Sequence, residues 1–153
     1  MSIALRLLSE RDADALAGLH SSYKQAIGEE PPTLDELAAL KLAIAGSRIL
    51  FYGCECDEQL VGICSLSLIF STFNYAAGGI FEDFYIDPAY RGQGIAKQLV
   101  RFAAGHSGVR SLVVGCADCD LGLYNALGFT ARLGNMLAFD MQALREPAAF
   151  QHP

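Results

Sequence analysis

Phe81-Glu82-Asp83-Phe84-Tyr85-Ile86-Asp87-Pro88-Ala89-Tyr90 runs directly into Arg91-Gly92-Gln93-Gly94-Ile95-Ala96. The first half reads as a strand closed by a proline. The second reads as a glycine turn opening a helix, because Ile95, Leu99, Phe102 and Ala103 recur on one face and Lys97, Gln98 and Arg101 on the other. The first N–H groups of a helix have no internal partner and lie at the positive end of its dipole. Gly92 and Gly94 put no side chain between the backbone and an incoming anion. The amides of Gly92, Gln93, Gly94, Ile95, Ala96 and Lys97 are therefore expected to carry a pyrophosphate, with Arg91 and Lys97 adding positive charge.

Upstream of this stretch, Ile49 to Cys56, Leu60 to Phe70 and Gly79 to Ile86 read as three strands, the first two joined by a turn at Asp57-Glu58. Further back, Ile3 to Leu8 reads as a strand and Glu10 to Ile27 as a helix, with Ala13, Leu16, Leu19, His20 and Tyr23 along one side and Gly28 at its end. Thr33 with Glu36 is a capping box for a second helix reaching about Ser47, in which Leu34, Leu37, Leu40 and Ile44 keep helical spacing. Glu29-Glu30-Pro31-Pro32 is an acidic loop between the two. Downstream, Val109 to Cys116 reads as an apolar strand, Asp118 to Leu127 as a short helix and Thr130 to Asp140 as more strand. The sum is a mixed α/β sheet with helices on its faces. One domain over residues 1–145 is expected, followed by a tail without order at 146–153.

With 153 residues the chain has room for one core and one site. Hydrophobic residues make up 52% of it, yet the most apolar stretch, Leu60 to Phe70, is broken by Gly62, Ser65 and Ser67. It falls short of the roughly 18 apolar residues of a membrane helix. Glu10, Arg11, Asp12 and Asp14 interrupt any apolar leader, so the expectation is a cytoplasmic protein with no membrane partner. Five cysteines form no even framework, and Cys54 and Cys56 stand at strand spacing as small hydrophobes. Neither they, nor Cys116 and Cys119, nor His20, His106 and His152 make a convincing ligand set, so no metal is expected. A net charge of −6 speaks against a nucleic-acid partner and for a cationic small molecule. The apolar composition is compatible with a homodimer.

Arg91, Gly94 and Ala96 occupy the fixed positions of a signature that resembles the acyl-CoA-binding motif of the GNAT superfamily of N-acetyltransferases. Phe81 to Pro88 resembles that family's central strand. Leu123-Tyr124-Asn125-Ala126-Leu127-Gly128-Phe129 resembles its later LY…LGF signature, so the specific likeness covers Phe81 to Phe129. It implies a GNAT-like, largely antiparallel sheet with helices on both faces and a splayed parallel strand pair. It also implies acetyl-CoA as cosubstrate, lying near Ile86 and Val113 with its pyrophosphate on the glycine turn. By the same likeness Tyr124 protonates the departing thiolate, a transfer uphill by about 2 kcal/mol for a phenol near pKa 10 and a thiol near 8.5. Where the family often has an asparagine, this chain has Ala117.

Glu82 and Asp83 stand in an otherwise apolar strand, where unpaired carboxylates are costly to bury. A protonated amine must give up a proton before it attacks, at a cost of about 4.6 kcal/mol at neutral pH for a pKa near 10.4. A carboxylate in the cleft would hold the cation and accept that proton. Adjacent strand residues face opposite ways, so without a bulge only one of the two enters a cleft, and Glu82 is the expected one. Asp83, Glu29 and Glu30 are expected to help bind the acceptor. Glu82-Asp83, with Ser71-Thr72-Phe73 before it, is also similar to polyamine acetyltransferases of the superfamily. Direct attack in a ternary complex on a small cationic amine is the leading expectation. A protein amine as acceptor, and an idle acyl-CoA-binding regulatory domain, are the alternatives. A glycine-loop nucleotide module lacks both the Walker pair and the dinucleotide fingerprint.

Overall fold

The computed structural model describes residues 1–145; the tail expected at 146–153 lies outside the described residues. Strands β1 (Ile3–Leu7), β2 (Ile49–Cys56), β3 (Gln59–Ser71) and β4 (Ala76–Ile86) pair antiparallel in chain order. The hairpin between β2 and β3 turns on Asp57 and Glu58, both in the left-handed backbone region. β5 (Ser111–Val114) completes the sheet, parallel to β4. That pairing covers only Gly78 to Phe81 against Ser111 to Val114, after which β4 runs on to Ile86 paired with β3 but not with β5. The parallel pair therefore opens from Glu82 onward.

Two buried clusters lie on the two faces of this sheet. On one, Leu16 of α1 (Ala13–Ala26) and Ile44 of α2 (Leu34–Ala45) meet Leu8, Phe51 and Ile63. On the other, Ile95, Leu99, Val100 and Ala103 of α3 (Ile95–His106) cover Tyr52, Cys54, Leu66 and Phe81, with Leu127 of α4 (Leu121–Leu127) beside them. Each large aliphatic side chain withdrawn from water contributes about 1.5–3 kcal/mol, so α3 is held by its apolar stripe. Helices on both faces of a mixed sheet agree with the expected fold class.

Local signals are realised closely. Thr33 Oγ1 accepts the Glu36 amide at 3.2 Å while the Glu36 carboxylate accepts the Thr33 amide at 2.7 Å, closing the expected capping box. Gly28 stops the first helix at φ +78. The 3-10 turn Glu10–Asp12 precedes α1 because Ser9 and Asp12 cap one another. Of the residues at helical spacing in α2, Leu34 is 85% exposed while Ile44, a later one, is buried.

One expectation is overturned. Thr130 to Asp140 forms no strand: every one of these residues is exposed, and Gly134 at φ +92 breaks the extended run. β-periodicity becomes a strand only where a neighbouring edge supplies hydrogen bonds, and no strand among the described residues pairs here.

Candidate active site

The glycine turn has the geometry its sequence implies. Asp87 Oδ1 accepts the Ala89 amide at 2.9 Å, which turns the chain out of β4 through the 3-10 turn Pro88–Tyr90. Gly92 and Gly94 follow at φ +74 and +78, backbone that other residues adopt only with strain. Gly94 begins α3 without any side-chain cap, so the first amides of the helix are left for another acceptor. A Cβ built at Gly92 would meet nothing, and one at Gly94 only Gln98 Nε2 at 3.8 Å. Open space in front of uncapped amides fits a phosphate group.

That turn borders a cleft of about 360 Å³ lined by Phe84, Ile86, Arg91, Gly92, Gly94, Ile95, Ala96 and Leu123, among others. Gln93 and Lys97 do not line it; both side chains are exposed, so only their amides belong to the turn. Arg91 is turned back on its own strand, its Nε donating to the Ile86 carbonyl at 2.8 Å and its guanidinium 5.5 Å from the Tyr85 ring. Val113 pairs with Ile80, below the point where the strands part. The opening thus lies beyond Val114 and nearer Ile86 than Val113.

A second cleft of about 300 Å³ adjoins the first at Phe84. Tyr23 and Lys24 line it from α1, Ile27 and Glu29 from the segment just beyond, Phe81 to Phe84 from β4, and Val114, Gly115 and Tyr124 from the far side. Glu82, Asp83, Glu29 and Tyr124 are thereby brought together, whereas Glu30 stays outside. Glu29 is not free, for its carboxylate binds Lys24 Nζ at 2.8 Å.

The strand rule that would admit only one of Glu82 and Asp83 is broken by a bulge. Ser65 pairs with Glu82 and Ile63 with Tyr85, so β4 carries one extra residue, and Asp83 takes φ +48. Both carboxylates reach the cleft, in different environments. Glu82 is exposed. Asp83 accepts from Ser65 Oγ at 2.7 Å through Oδ2, and its Oδ1 lies 3.3 Å from His20 Nε2. Burial raises the Asp83 carboxyl, but the hydrogen bonds from His20 and Ser65 and the charges of His20 and Lys24 outweigh it and hold it below the ordinary carboxylate value.

Tyr124 is half-buried, its ring edge-on to Phe81 and Phe129 at 6.4 and 5.9 Å between centroids. Gly128 at φ +112 closes α4, and the Phe129 amide returns to the Tyr124 carbonyl at 3.0 Å. The glycine thus folds Phe129 back beneath the tyrosine. Burial pushes the Tyr124 phenol up, and the neighbouring Tyr23 adds to it. Ala117 precedes the 3-10 turn Asp118–Asp120 and offers it no side-chain cap.

His20, Tyr23 and Lys24 were not expected at the site. Helical periodicity put His20 and Tyr23 on the apolar side of α1, and only the sheet contact shows that this side ends at a cleft. The signal available in sequence was a histidine on an otherwise apolar face, which is weak alone.

A parallel strand pair opening over an uncapped helix start, with a second polar cleft across the same strand, is the site of a transferase that handles two substrates. Residues 47–131 match the acetyltransferase (GNAT) domain family, and the chain belongs to this GNAT family of acetyl-CoA-dependent N-acetyltransferases. An acetyltransferase of Trypanosoma brucei shares 26% identity over 92% of this chain and 100% of its own, with a TM-score of 0.72. A protein of Clostridium acetobutylicum predicted to be an acetyltransferase and solved with acetyl-CoA has 17% identity over 93% and 98%, with a TM-score of 0.71. An aminoglycoside acetyltransferase from an uncultured soil sample, solved with sisomicin, has 14% identity over 90% and 94%, with a TM-score of 0.76. No functionally curated protein matches the sequence. Among the described residues no helix is long and apolar enough to cross a membrane.

Proposed function

We propose that this acetyltransferase acts on a small cationic amine, of which a polyamine is the leading candidate, by direct attack within a ternary complex. The observation that carries this reading is the charge of the second cleft. It is lined by three carboxylates, Glu29, Glu82 and Asp83, against one ammonium, Lys24. Acetyl-CoA is assigned to the first cleft, its pyrophosphate on the amides from Gly92 to Lys97 and its pantetheine arm along Ile86 and Phe84. That the Clostridium acetobutylicum relative was solved with acetyl-CoA supports the choice of ligand.

In this reading Glu82 takes the proton of the bound ammonium, directly or through water, and the freed nitrogen forms a bond to the acetyl carbon. As the carbon–sulfur bond breaks, Tyr124 gives its phenolic proton to the sulfur, and the second proton, lost by the nitrogen as it becomes an amide, returns to the phenolate through water. The phenol is protonated at neutral pH and so has the proton to give, although burial, by pushing its pKa up, makes the transfer more uphill. Glu82→Gln should lower kcat/KM at pH 7, with the loss shrinking as pH rises toward the amine's own pKa. The measurement is a pH–rate profile of both proteins against polyamines, aminoglycosides and peptides. Unchanged kinetics in Glu82→Gln, or activity confined to uncharged or anionic acceptors, overturns the reading. Acetyl-CoA binding without turnover on any amine would instead favour an idle regulatory domain.

The cytoplasm is the proposed compartment, in keeping with five free cysteines. A homodimer is proposed as well, on the exposed apolar side chains after α4. Residues 1–145 are taken as the catalytic domain.

A further inference from the structure

Two carboxylates side by side in one strand invite the question of which does what, and their surroundings differ enough to answer it. Asp83 is the only residue of β4 in the left-handed backbone region, at φ +48, where a non-glycine residue needs support from its surroundings. That support comes from both sides of the bulge. Ser65 Oγ on β3 donates to Oδ2 at 2.7 Å, and His20 Nε2 on α1 lies 3.3 Å from Oδ1. The Asp83 and His20 side chains are only 14% and 11% exposed.

An ionised carboxylate can only accept hydrogen bonds, so the His20 nitrogen that faces Asp83, Nε2, is the donor of this contact. With both oxygens engaged, Asp83 is a poor proton acceptor and a well-fixed charge. Glu82 is exposed and takes part in none of the ion pairs among the described residues.

We propose that Asp83, gripped by His20 and Ser65, is the fixed anion that recognises the acceptor's ammonium, leaving Glu82 as the carboxylate that takes its proton. His20 and Ser65 are then positioning residues that act through Asp83. This rests on the cationic-amine reading above. The other groups facing Asp83 are Tyr23 and Lys24 of α1, Glu29 after it, Glu82 on its own strand and Tyr124 of α4. The folded-state value of Asp83 is depressed, so it is ionised above that value and loses its charge as pH falls through it. KM for a cationic amine should then rise on the acid side. Removing the His20 or Ser65 donor raises the Asp83 value, so that rise should begin at higher pH.

The test compares kcat and KM from pH 4 upward for spermidine, with an uncharged aromatic amine as control acceptor; the parent's acid limb lies below this window, so a rise within it reports a raised Asp83 value. Asp83→Asn should raise KM for spermidine about tenfold or more, the size of one lost charge-assisted hydrogen bond, and raise the control's KM far less. His20→Leu and Ser65→Ala should shift the acid limb of KM to higher pH, and His20→Gln, which keeps an N–H near Asp83, should restore part of it. Should His20→Leu fail to fold, Ser65→Ala and His20→Gln carry the same comparison. A spermidine KM unmoved in Asp83→Asn, or an acid limb unmoved in the His20 and Ser65 variants, overturns the inference. A parent enzyme that acetylates only the uncharged amine overturns the cationic-amine reading itself.

Discussion

Tyr124 serves packing and the proposed chemistry with one ring. Its edge meets Phe81 and Phe129, which fixes its direction, while the same residue lines the second cleft beside Glu82 and Asp83. Phenylalanine preserves the packing and removes only the proton. Tyr124→Phe is thus expected to fold normally, keep its acetyl-CoA affinity and lose about a hundredfold in kcat, a typical general-acid contribution. Single-turnover kinetics with calorimetry checks this, and an unchanged chemical step would assign the proton to water. Tyr124 was legible in sequence because its motif is local. The His20–Asp83 contact was not, because its partners are 63 residues apart and meet only across α1 and the sheet.

Among the elements, the turn from Gly92 into α3 joins sequence to proposed function most directly. Gly94 has a left-handed backbone and its Cβ position looks into open space, so a glutamate there adds strain and a negative charge where a pyrophosphate would sit. Gly94→Glu is expected to abolish measurable acetyl-CoA binding in calorimetry while α3, anchored by Ile95, Leu99 and Ala103, keeps the protein folded. Undiminished affinity in a folded variant would move the phosphate site elsewhere. Such elements are legible because capping, glycine turns and apolar periodicity act within a few residues. Thr130 to Asp140 was misread for the converse reason, since a strand requires an edge that its own sequence does not contain.

On the scale of the molecule, the exposed apolar surface is unevenly distributed. Leu133, Met136, Leu137, Phe139, Met141 and Leu144 follow α4 within a few turns of chain, each at least 65% exposed. Exposed apolar side chains gathered in one stretch of chain are the basis of the proposed homodimer surface. A second copy burying it is expected to give a dimer in sedimentation equilibrium, and Leu137→Asp with Phe139→Asp is expected to return monomer. A parent protein that stays monomeric at all concentrations would refute this. The sequence by itself determined the strand and helix order as far as α4, the glycine turn with its uncapped helix and the presence of two carboxylates on the central strand, because each depends on contacts a few residues apart. Only the tertiary structure decided that β4 bulges at Asp83, that both carboxylates reach one cleft, and that His20 and Ser65 hold one of them. Bulges and buried polar pairs are settled by the register between neighbouring strands and the packing of a helix on them, and neither is encoded locally.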